Sequence, residues 1–128
     1  MQTKSLEELL IEANDLVKRL SYDESVDLIS NTQTVIIDVR EESEVYNLGI
    51  IKNAVHIPRG LIEFKLSPNS PDNPVSINDD TNILVYCAGG YRSALAAKTL
   101  LDLGFKNVYN LGGFQEWVQC GGKIQDGP

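Results

Sequence analysis

Cys87 and Arg92 are the two side chains whose types and spacing most strongly indicate a reactive site. Cys87 follows a short apolar run over 82–86 that is rich in β-branched residues, which predicts a buried strand. A loop with two glycines separates it from residues 94–101, a run of strong helix formers. The sequence therefore predicts a thiol where a strand ends and an arginine in the first turn of the helix that follows.

Such a position favours the ionised, nucleophilic form of a cysteine. The first backbone N–H groups of a helix have no partner within it, and the helix dipole adds about half a positive charge there. Both effects lower the pKa of a nearby thiol. Gly89 and Gly90 let the backbone approach the sulfur closely. We therefore interpret Cys87 as a nucleophile, whereas most free cysteines are small buried hydrophobic residues.

An arginine beside such a thiol predicts an anionic substrate. The guanidinium of Arg92 offers a fixed fork of donors that matches an oxyanion better than an ammonium does. A cation at a helix N-terminus opposes the helix dipole, so a purely structural role for Arg92 is disfavoured. Arg59 is a second candidate for the mouth of the pocket, and a solvated surface position is an equally good interpretation of it.

Length, charge and cysteine content narrow the classes of function. The 128 residues suffice for one domain, and the net charge of −7 argues against nucleic acid and anionic membranes as partners. Cys87 and Cys120 lie 33 residues apart in no metal-ligand spacing, so no metal, other cofactor or disulfide framework is expected. We interpret Cys120 as a bystander, because it lies in a glycine-rich segment with no positive residue beside it.

The same features predict where the protein works. The N-terminal segment carries charged residues among its leucines, unlike a signal peptide. No apolar run reaches the roughly 20 residues that span a bilayer. We expect a cytoplasmic protein in a reducing compartment.

Helical and strand patterns alternate along the chain, which predicts an α/β domain with a parallel sheet. Leucines at helical spacing predict an amphipathic N-terminal helix, and Ser21 with Glu24 has the spacing of a capping box for a second helix. Gly49 and Gly104 are expected to end helices. Strands are predicted at 34–39, 54–57, 82–86 and 107–109, further helical segments at 40–46, 61–66, 94–101 and 114–118, and a proline-rich surface loop at 67–80.

Three motifs, in the family's order, resemble those of the rhodanese-like domain. They are Asp38-Val39-Arg40 followed by Glu44, Gly49 and residues 54–58; the loop over 87–94; and Gly112-Gly113-Phe114 with Trp117. Each is weak alone, but together they cover roughly residues 20 to 120 and are specific. Departures from the family's pattern occur at Ile50, at Lys52-Asn53 and in the long segment 58–80.

The resemblance implies a single three-layer domain with a five-stranded parallel sheet flanked by helices, here with an extra N-terminal helix. The expected organisation is an amphipathic helix over 1–20, the rhodanese-like domain over 21–120 and a flexible tail over 121–128. It also implies that Cys87 accepts sulfur as a persulfide while Arg92 helps to hold the donor. The loop residues expected to ring the sulfur and bind substrate are Ala88, Gly89, Gly90 and Tyr91.

Other polar residues of these motifs have structural interpretations. Asp38, Arg40 and Glu44 match structural positions of the family, and Arg40 is expected to pair with Glu44 at helical spacing. His56, the only histidine, would be the base of a Cys–His hydrolase, but its place before a proline favours a satisfied polar residue beside the sheet. Phe114 and Trp117 are interpreted as core residues.

The expected activity is transfer of a sulfane sulfur from thiosulfate or another persulfide donor to a thiophilic acceptor such as cyanide or a thiol. A sulfur carrier or binding module, served by a partner such as a cysteine desulfurase, needs the same loop and stays open as an alternative. A phosphatase is a less favoured alternative. Phosphatases related to rhodaneses use Cys-x5-Arg, whereas here Arg92 lies five positions after Cys87 and Ser93 occupies the sixth. The shorter loop makes a tighter ring, which suits a sulfur atom better than a phosphate.

Overall fold

The main sheet consists of five short parallel strands. In the computed structural model, which describes residues 1–128, they are β1 (Lys18–Arg19), β2 (Thr34–Asp38), β4 (Val55–His56), β5 (Asn82–Cys87) and β6 (Val108–Gly113), in the spatial order β1-β6-β5-β2-β4. β5 is central, and residues 83–87 are buried, as expected for a strand covered on both faces. A separate antiparallel ribbon joins β3 (Ile50–Ile51) to β7 (Ile124–Gln125).

Six α-helices surround the sheet. They are α1 (Leu6–Leu16), α2 (Tyr22–Asn31), α3 (Glu42–Leu48), α4 (Ile62–Leu66), α5 (Tyr91–Asp102) and α6 (Phe114–Gln119), with a 3₁₀ turn at Arg59–Leu61 before α4. Ser21 and Glu24 form the predicted capping box of α2, which satisfies N–H groups that the helix leaves free. No helix is long and apolar enough to cross a membrane, and the longest, α5, has 12 residues.

Apolar side chains form a core on each face of the sheet. One core packs the sheet against α4 and α5 and includes Ile37, Ile62, Val85 and Leu100. The other packs it against α3 and α6 and includes Val45, Leu84, Phe114 and Trp117. Each fully buried aliphatic side chain contributes about 1.5–3 kcal/mol, so the two cores hold the strand ends firmly in place. This helix, sheet and helix layering confirms the predicted fold class.

The N-terminal helix is shorter than the sequence predicts. α1 ends at Leu16, and β1 then pairs with β6 through Lys18↔Tyr109 and Arg19↔Asn110. The apolar residues Val17 and Leu20 continue the helical spacing, but the structure buries them in the cores on opposite faces of the sheet. The expected helix over 1–20 is therefore wrong at its end, because β1 completes the five-stranded sheet.

The C-terminal segment is not the flexible tail that its glycines predict. β7 pairs with β3, the indole N–H of Trp117 donates to the carbonyl of Lys123 at 3.0 Å, and the backbone N–H of Asn53 donates to Gln125 Oε1 at 3.0 Å. A Cβ on Gly127 would lie 2.5 Å from the carbonyl oxygen of Val45. The glycine there permits close packing, so its presence does not indicate disorder.

The long segment between α4 and β5 contains no helix or strand, as its prolines predict. It remains attached to the domain, because Val75 and Ile77 pack against the core that lies beside α5. Gly49 and Gly104 follow α3 and α5 with φ of 84° and 104°, as expected for glycines that end helices.

Candidate active site

Cys87 is the last residue of β5, and only 1% of it is exposed. The chain turns after it through Ala88, Gly89 and Gly90 and enters α5 at Tyr91. We call residues 87–92 the Cys87 loop. Gly90 has a φ of 98°, a left-handed conformation that costs glycine little. Through this turn, backbone N–H groups face back toward the sulfur.

The sulfur of Cys87 is surrounded by hydrogen-bond donors. The backbone N–H of Gly90 donates to Sγ at 3.0 Å, and Ser93 Oγ lies 3.5 Å from Sγ. Burial alone raises the pKa of the Cys87 thiol, but the Ser93 hydroxyl and the backbone N–H groups of Ser93, Gly90 and Gly89 outweigh it. The pKa of Cys87 is therefore lowered from its ordinary value of 9.0. The site has the donors that a thiolate requires.

Ser93 and Asn110 form a buried polar network beside the sulfur. The Ser93 hydroxyl donates to Asn110 Oδ1 at 2.7 Å, and the backbone N–H of Gly112 donates to the same oxygen at 3.0 Å. Asn110 Nδ2 donates to the carbonyl of Gly90 at 3.0 Å, which ties β6 to the Cys87 loop. Every heavy polar atom of these two side chains therefore has a partner, as buried polar groups require.

This network was not among the predicted site residues, although the sequence contains a signal for it. Asn110 is a polar residue inside an apolar strand pattern, and such a residue needs a specific partner when buried. A bulge in β6 follows Asn110 directly and shifts Gly112, which donates to Asn110 Oδ1. Val85 pairs with Asn110, whereas the next residue, Tyr86, pairs with Gly112, so Leu111 is the extra residue.

Arg92 lies close to the sulfur, but its guanidinium fork is already occupied. Nη1 and Nη2 donate to the two carboxylate oxygens of Glu44 at 2.6 and 2.9 Å. The hydrogen bonds from Arg92 lower the pKa of Glu44 to about 2, and Glu44, with a further contribution from Cys87, raises the pKa of Arg92. The expectation that Arg92 helps to hold the anionic donor stays a prediction, and in this structure both of its terminal nitrogens bond Glu44. A carboxylate from α3 holds this cation beside the thiol and offsets its unfavourable place at the helix start.

The structure does not bring Arg59 to the Cys87 loop. Its Nη2 donates to Thr99 Oγ1 at 3.0 Å and its Nη1 to Glu63 Oε1 at 3.1 Å. Thr99 lies seven residues beyond Arg92 in α5, about 10 Å along the helix axis. In this structure the guanidinium of Arg59 therefore lies beside the C-terminal half of α5, and a place for it at the pocket mouth stays a prediction.

A second strand end carries a buried ion pair next to this site. Nε and Nη2 of Arg40 donate to the carboxylate of Asp38, at 2.7 Å for Nη2 to Oδ2, and Nη2 also donates to the carbonyl of Gly49 at 2.6 Å. The expected pairing of Arg40 with Glu44 is therefore wrong, because Asp38 takes the guanidinium. The ring of Phe114 lies 4.3 Å from Arg40 Cζ. We call Asp38, Arg40 and Phe114 the Arg40 corner.

The other candidate side chains lie outside the sulfur's surroundings. His56 Nε2 bonds the carbonyl of Arg40 at 2.7 Å, which matches the expected satisfied polar residue and leaves no role for it as a base to Cys87. Cys120 is exposed. Tyr91 is 70% exposed, so any contact of this residue with substrate involves the outer side of the loop. The structure contains no group of three or more His, Cys, Asp or Glu side chains placed to share a metal ion.

One cation near the loop was missed entirely. Arg19, from the edge strand β1, lies against Gly90, such that a Cβ on Gly90 would be 2.7 Å from its Nη1. Nothing in the local sequence around Arg19 signals this, because its position depends on the pairing of β1 with β6.

Comparison with known proteins assigns the family. The model of the Rhodanese-like domain matches residues 21–120, and the chain belongs to this family. A protein of Schizosaccharomyces pombe, provisionally named a mitochondrial thiosulfate sulfurtransferase, is 36% identical over 97 residues, which are 72% of this chain and 66% of that protein. Membership in the family supports sulfurtransferase-type chemistry in general.

Other relatives carry different names. The tRNA uridine(34) hydroxylases of Photorhabdus laumondii and Prochlorococcus marinus are 33% and 36% identical over 72% and 73% of this chain, which spans 26% and 31% of their lengths. A solved structure from Rhodopseudomonas palustris, described as a protein of unknown function and possible tyrosine phosphatase, has a TM-score of 0.86 at 36% identity and covers 98% of this chain and 97% of its own. A rhodanese-like domain protein from Staphylococcus aureus has a TM-score of 0.64 at 32% identity, with 86% and 100% covered.

Proposed function

We propose that the protein is a sulfurtransferase that carries a sulfane sulfur as a persulfide on Cys87, with thiosulfate or another persulfide as donor and a thiol or cyanide as acceptor. The observation that carries the proposal is the ring of donors around Sγ, above all the Gly90 N–H at 3.0 Å. The same donors that lower the pKa of the thiol can hold the terminal sulfur of a persulfide anion.

The reaction proceeds in two displacements. The Cys87 thiolate attacks the outer sulfur of thiosulfate, a sulfur–sulfur bond forms to Cys87, and the original sulfur–sulfur bond breaks. Sulfite leaves with the electron pair of that bond. An acceptor thiolate or cyanide then attacks the outer sulfur of the persulfide, and Cys87 leaves as a thiolate. Neither step needs a side-chain base, which agrees with the absence of a contact between His56 and Cys87.

The charges at the site suit this chemistry. The protein carries a net charge of −7, so its overall field repels a dianion, and local positive groups must offset that field. Arg92 supplies a positive charge beside the sulfur, where it stabilises both the thiolate and the persulfide anion. Because Glu44 holds its fork, we assign Arg92 to charge stabilisation and to loop anchoring.

A phosphatase is less compatible with these contacts. Phosphoryl transfer at a cysteine requires a guanidinium whose donors face the phosphate oxygens. Here both terminal nitrogens of Arg92 bond Glu44, and the position where related phosphatases place arginine holds Ser93, whose hydroxyl donates to Asn110. The description of the Rhodopseudomonas palustris structure makes phosphatase activity worth an explicit assay all the same.

The mass of the intact protein after exposure to thiosulfate tests the proposal. We expect a gain of about 32 Da for one sulfur, lost on addition of cyanide with formation of thiocyanate. Cys87→Ser abolishes both, and Cys120→Ser, a matched change at the exposed cysteine, abolishes neither. A mass gain from a cysteine desulfurase without turnover by small donors would indicate the carrier alternative. Phosphate release from an aryl phosphate without thiocyanate formation would overturn the proposal.

A further inference from the structure

Arg19 places a second positive charge beside the Cys87 loop. Its guanidinium lies directly against two glycines: a Cβ on Gly90 would be 2.7 Å from Nη1, and one on Gly112 would overlap Nη2. Gly90 is the residue whose N–H donates to Sγ of Cys87 at 3.0 Å. One glycine thus separates the guanidinium of Arg19 from the reactive sulfur.

The same two glycines are held by the buried side chain of Asn110. Asn110 Nδ2 donates to the carbonyl of Gly90, and its Oδ1 accepts from the N–H of Gly112, both at 3.0 Å. The guanidinium of Arg19 and the amide of Asn110 therefore both contact the same two glycines. This arrangement fixes where Arg19 lies relative to the sulfur, because neither glycine can move without breaking a hydrogen bond to Asn110.

Of the two arginines beside the Cys87 loop, Arg19 and Arg92, Arg19 has the weaker ion pair with a carboxylate. Arg92 is bonded through both terminal nitrogens to Glu44, whose side chain is 27% exposed. Arg19 makes a single 2.7 Å contact with Glu116, and the two side chains are 43% and 67% exposed. Water screens such an exposed pair strongly, so an incoming anion can compete with Glu116 for the guanidinium.

We propose that Arg19 is a specificity-determining residue that favours anionic over neutral reagents at Cys87. The proposal rests on the proposed function, since thiosulfate is the anionic donor for which the preference matters. Arg19 belongs to β1 and lies before the segment 21–120 that the family model matches. The proposed preference therefore depends on a residue outside the matched segment.

Alkylation of Cys87 measures this preference without sulfur transfer. Iodoacetate is an anion and iodoacetamide is neutral, and both react with the thiolate. Rates are followed on the peptide that contains Cys87, over a pH range that reaches the plateau of each reaction, so that changes in thiol pKa cancel. The ratio of the two plateau rates reports the positive charge near the sulfur.

Arg19→Gln is expected to lower the iodoacetate-to-iodoacetamide ratio about three- to tenfold at low ionic strength, an effect that added salt reduces. Glu116→Gln is expected to raise the ratio, because it frees the guanidinium. The matched control is Lys18→Gln, which removes the same charge from the neighbouring residue, whose ammonium pairs with Glu24 at 2.7 Å. Adjacent strand residues point to opposite faces, so the ratio should stay near that of the unmodified protein.

A role for Arg19 in packing alone would change both rates by the same factor and leave the ratio unaltered. An unchanged ratio in Arg19→Gln therefore overturns the proposal. If that variant fails to fold, Arg19→Lys and Glu116→Gln replace it: a retained ratio in the first and a raised ratio in the second support the proposal, and no effect of Glu116→Gln contradicts it. Failure of the proposed function would appear separately, as the absence of a mass gain from sulfur donors.

Discussion

The Arg40 corner and the Cys87 loop lie side by side at the carboxyl ends of two paired strands, yet they stabilise charge in opposite ways. Asp38 at the end of β2 pairs with Tyr86 of β5, the residue before Cys87. In the Arg40 corner, a carboxylate cancels the charge of a fully buried guanidinium. In the Cys87 loop, N–H and hydroxyl dipoles surround the sulfur. The buried ion pair fixes the local conformation of the chain. The N–H and hydroxyl dipoles can instead stabilise a negative charge first on Sγ of Cys87 and then on the outer sulfur of the proposed persulfide.

The two regions are joined by Glu44. Its helix, α3, begins directly after the Arg40 corner, and Glu44 Oε1 accepts the backbone N–H of Glu41 in a capping arrangement at 3.1 Å. The same carboxylate binds Arg92 across the site. Displacement of α3 would therefore disturb the cation beside Cys87, and the rigid Arg40 corner limits such displacement.

Breaking the ion pair of the Arg40 corner is expected to have the largest effect on stability. Arg40→Met leaves the carboxylate of Asp38 buried without its partner, which should reduce the free energy of unfolding by about 3–5 kcal/mol in denaturant titrations. Cys87→Ser should lower the free energy of unfolding far less, while it abolishes persulfide formation. Equal destabilisation by the two variants would contradict the division between a structural and a reactive region.

A partial rescue sharpens that prediction. In the double variant Asp38→Asn with Arg40→Met, no charge is left unpaired in the core, so part of the lost stability should return. A double variant as unstable as Arg40→Met alone would show that the guanidinium acts through its contacts with Gly49 and Phe114.

Removing the cation beside the sulfur should affect turnover more than folding. Arg92→Ala leaves the carboxylate of Glu44 without its partner and takes a positive charge from the thiolate, so we expect kcat/KM with thiosulfate to fall by the equivalent of about 2–4 kcal/mol. Measured beside it, Arg92→Ala with Glu44→Gln should regain part of the loss, because the unpaired negative charge is gone. Kinetics unchanged from the unmodified protein in Arg92→Ala would show that the main-chain donors and Arg19 suffice.

The strand, loop and helix around Cys87 could be predicted from the sequence, because short-range properties determine them. A window of a few residues is enough to recognise each of three features: the apolar run of β5, the two glycines, and the helix formers after Arg92. The alternation of elements was enough for the fold class as well. The proline-rich segment before β5 was likewise evident from its own residues.

The partners of these residues could not be predicted, because each depends on pairing between distant segments. Glu44 reaches Arg92 across 48 positions, and Asn110 reaches Gly90 across 20 positions. A two-residue strand such as β1 is too short to show a period, so both β1 and the place of Arg19 were missed. The C-terminal glycines predict flexibility, because composition does not reveal close packing.

The hydroxyl of Ser93 should account for part of the low pKa of Cys87. Ser93→Ala removes a hydroxyl whose hydrogen lies on Asn110 Oδ1 in this structure and can turn to an ionised Sγ 3.5 Å away, so we expect the pKa of the thiol to rise in the pH profile of iodoacetamide alkylation. Ser93→Thr keeps the hydroxyl and should retain most of the lowering. Because the folded protein has the lower thiol pKa, its stability should increase as the pH rises from that value toward 9.0, and Ser93→Ala should reduce this gain. Identical alkylation profiles would assign the lowering to the N–H groups alone.

The smallest predicted effect concerns the ion pair between Glu44 and Arg92 and its contribution to stability at acid pH. The pKa of Glu44 is lowered from 4.5 to about 2, so the stability gained from its pair with Arg92 is fully present above pH 4.5 and is lost as the pH falls toward 2. After allowance for partial exposure, this loss should be about 1–2 kcal/mol. Glu44→Gln should remove this part of the pH dependence of unfolding. Glu24→Gln is the matched control. The pKa of Glu24 is also lowered to about 2, but water screens its pair with the exposed Lys18, so we expect this variant to change the pH dependence of unfolding less. A pH dependence that Glu24→Gln alters and Glu44→Gln leaves intact would show that the contact between α3 and Arg92 contributes nothing in solution.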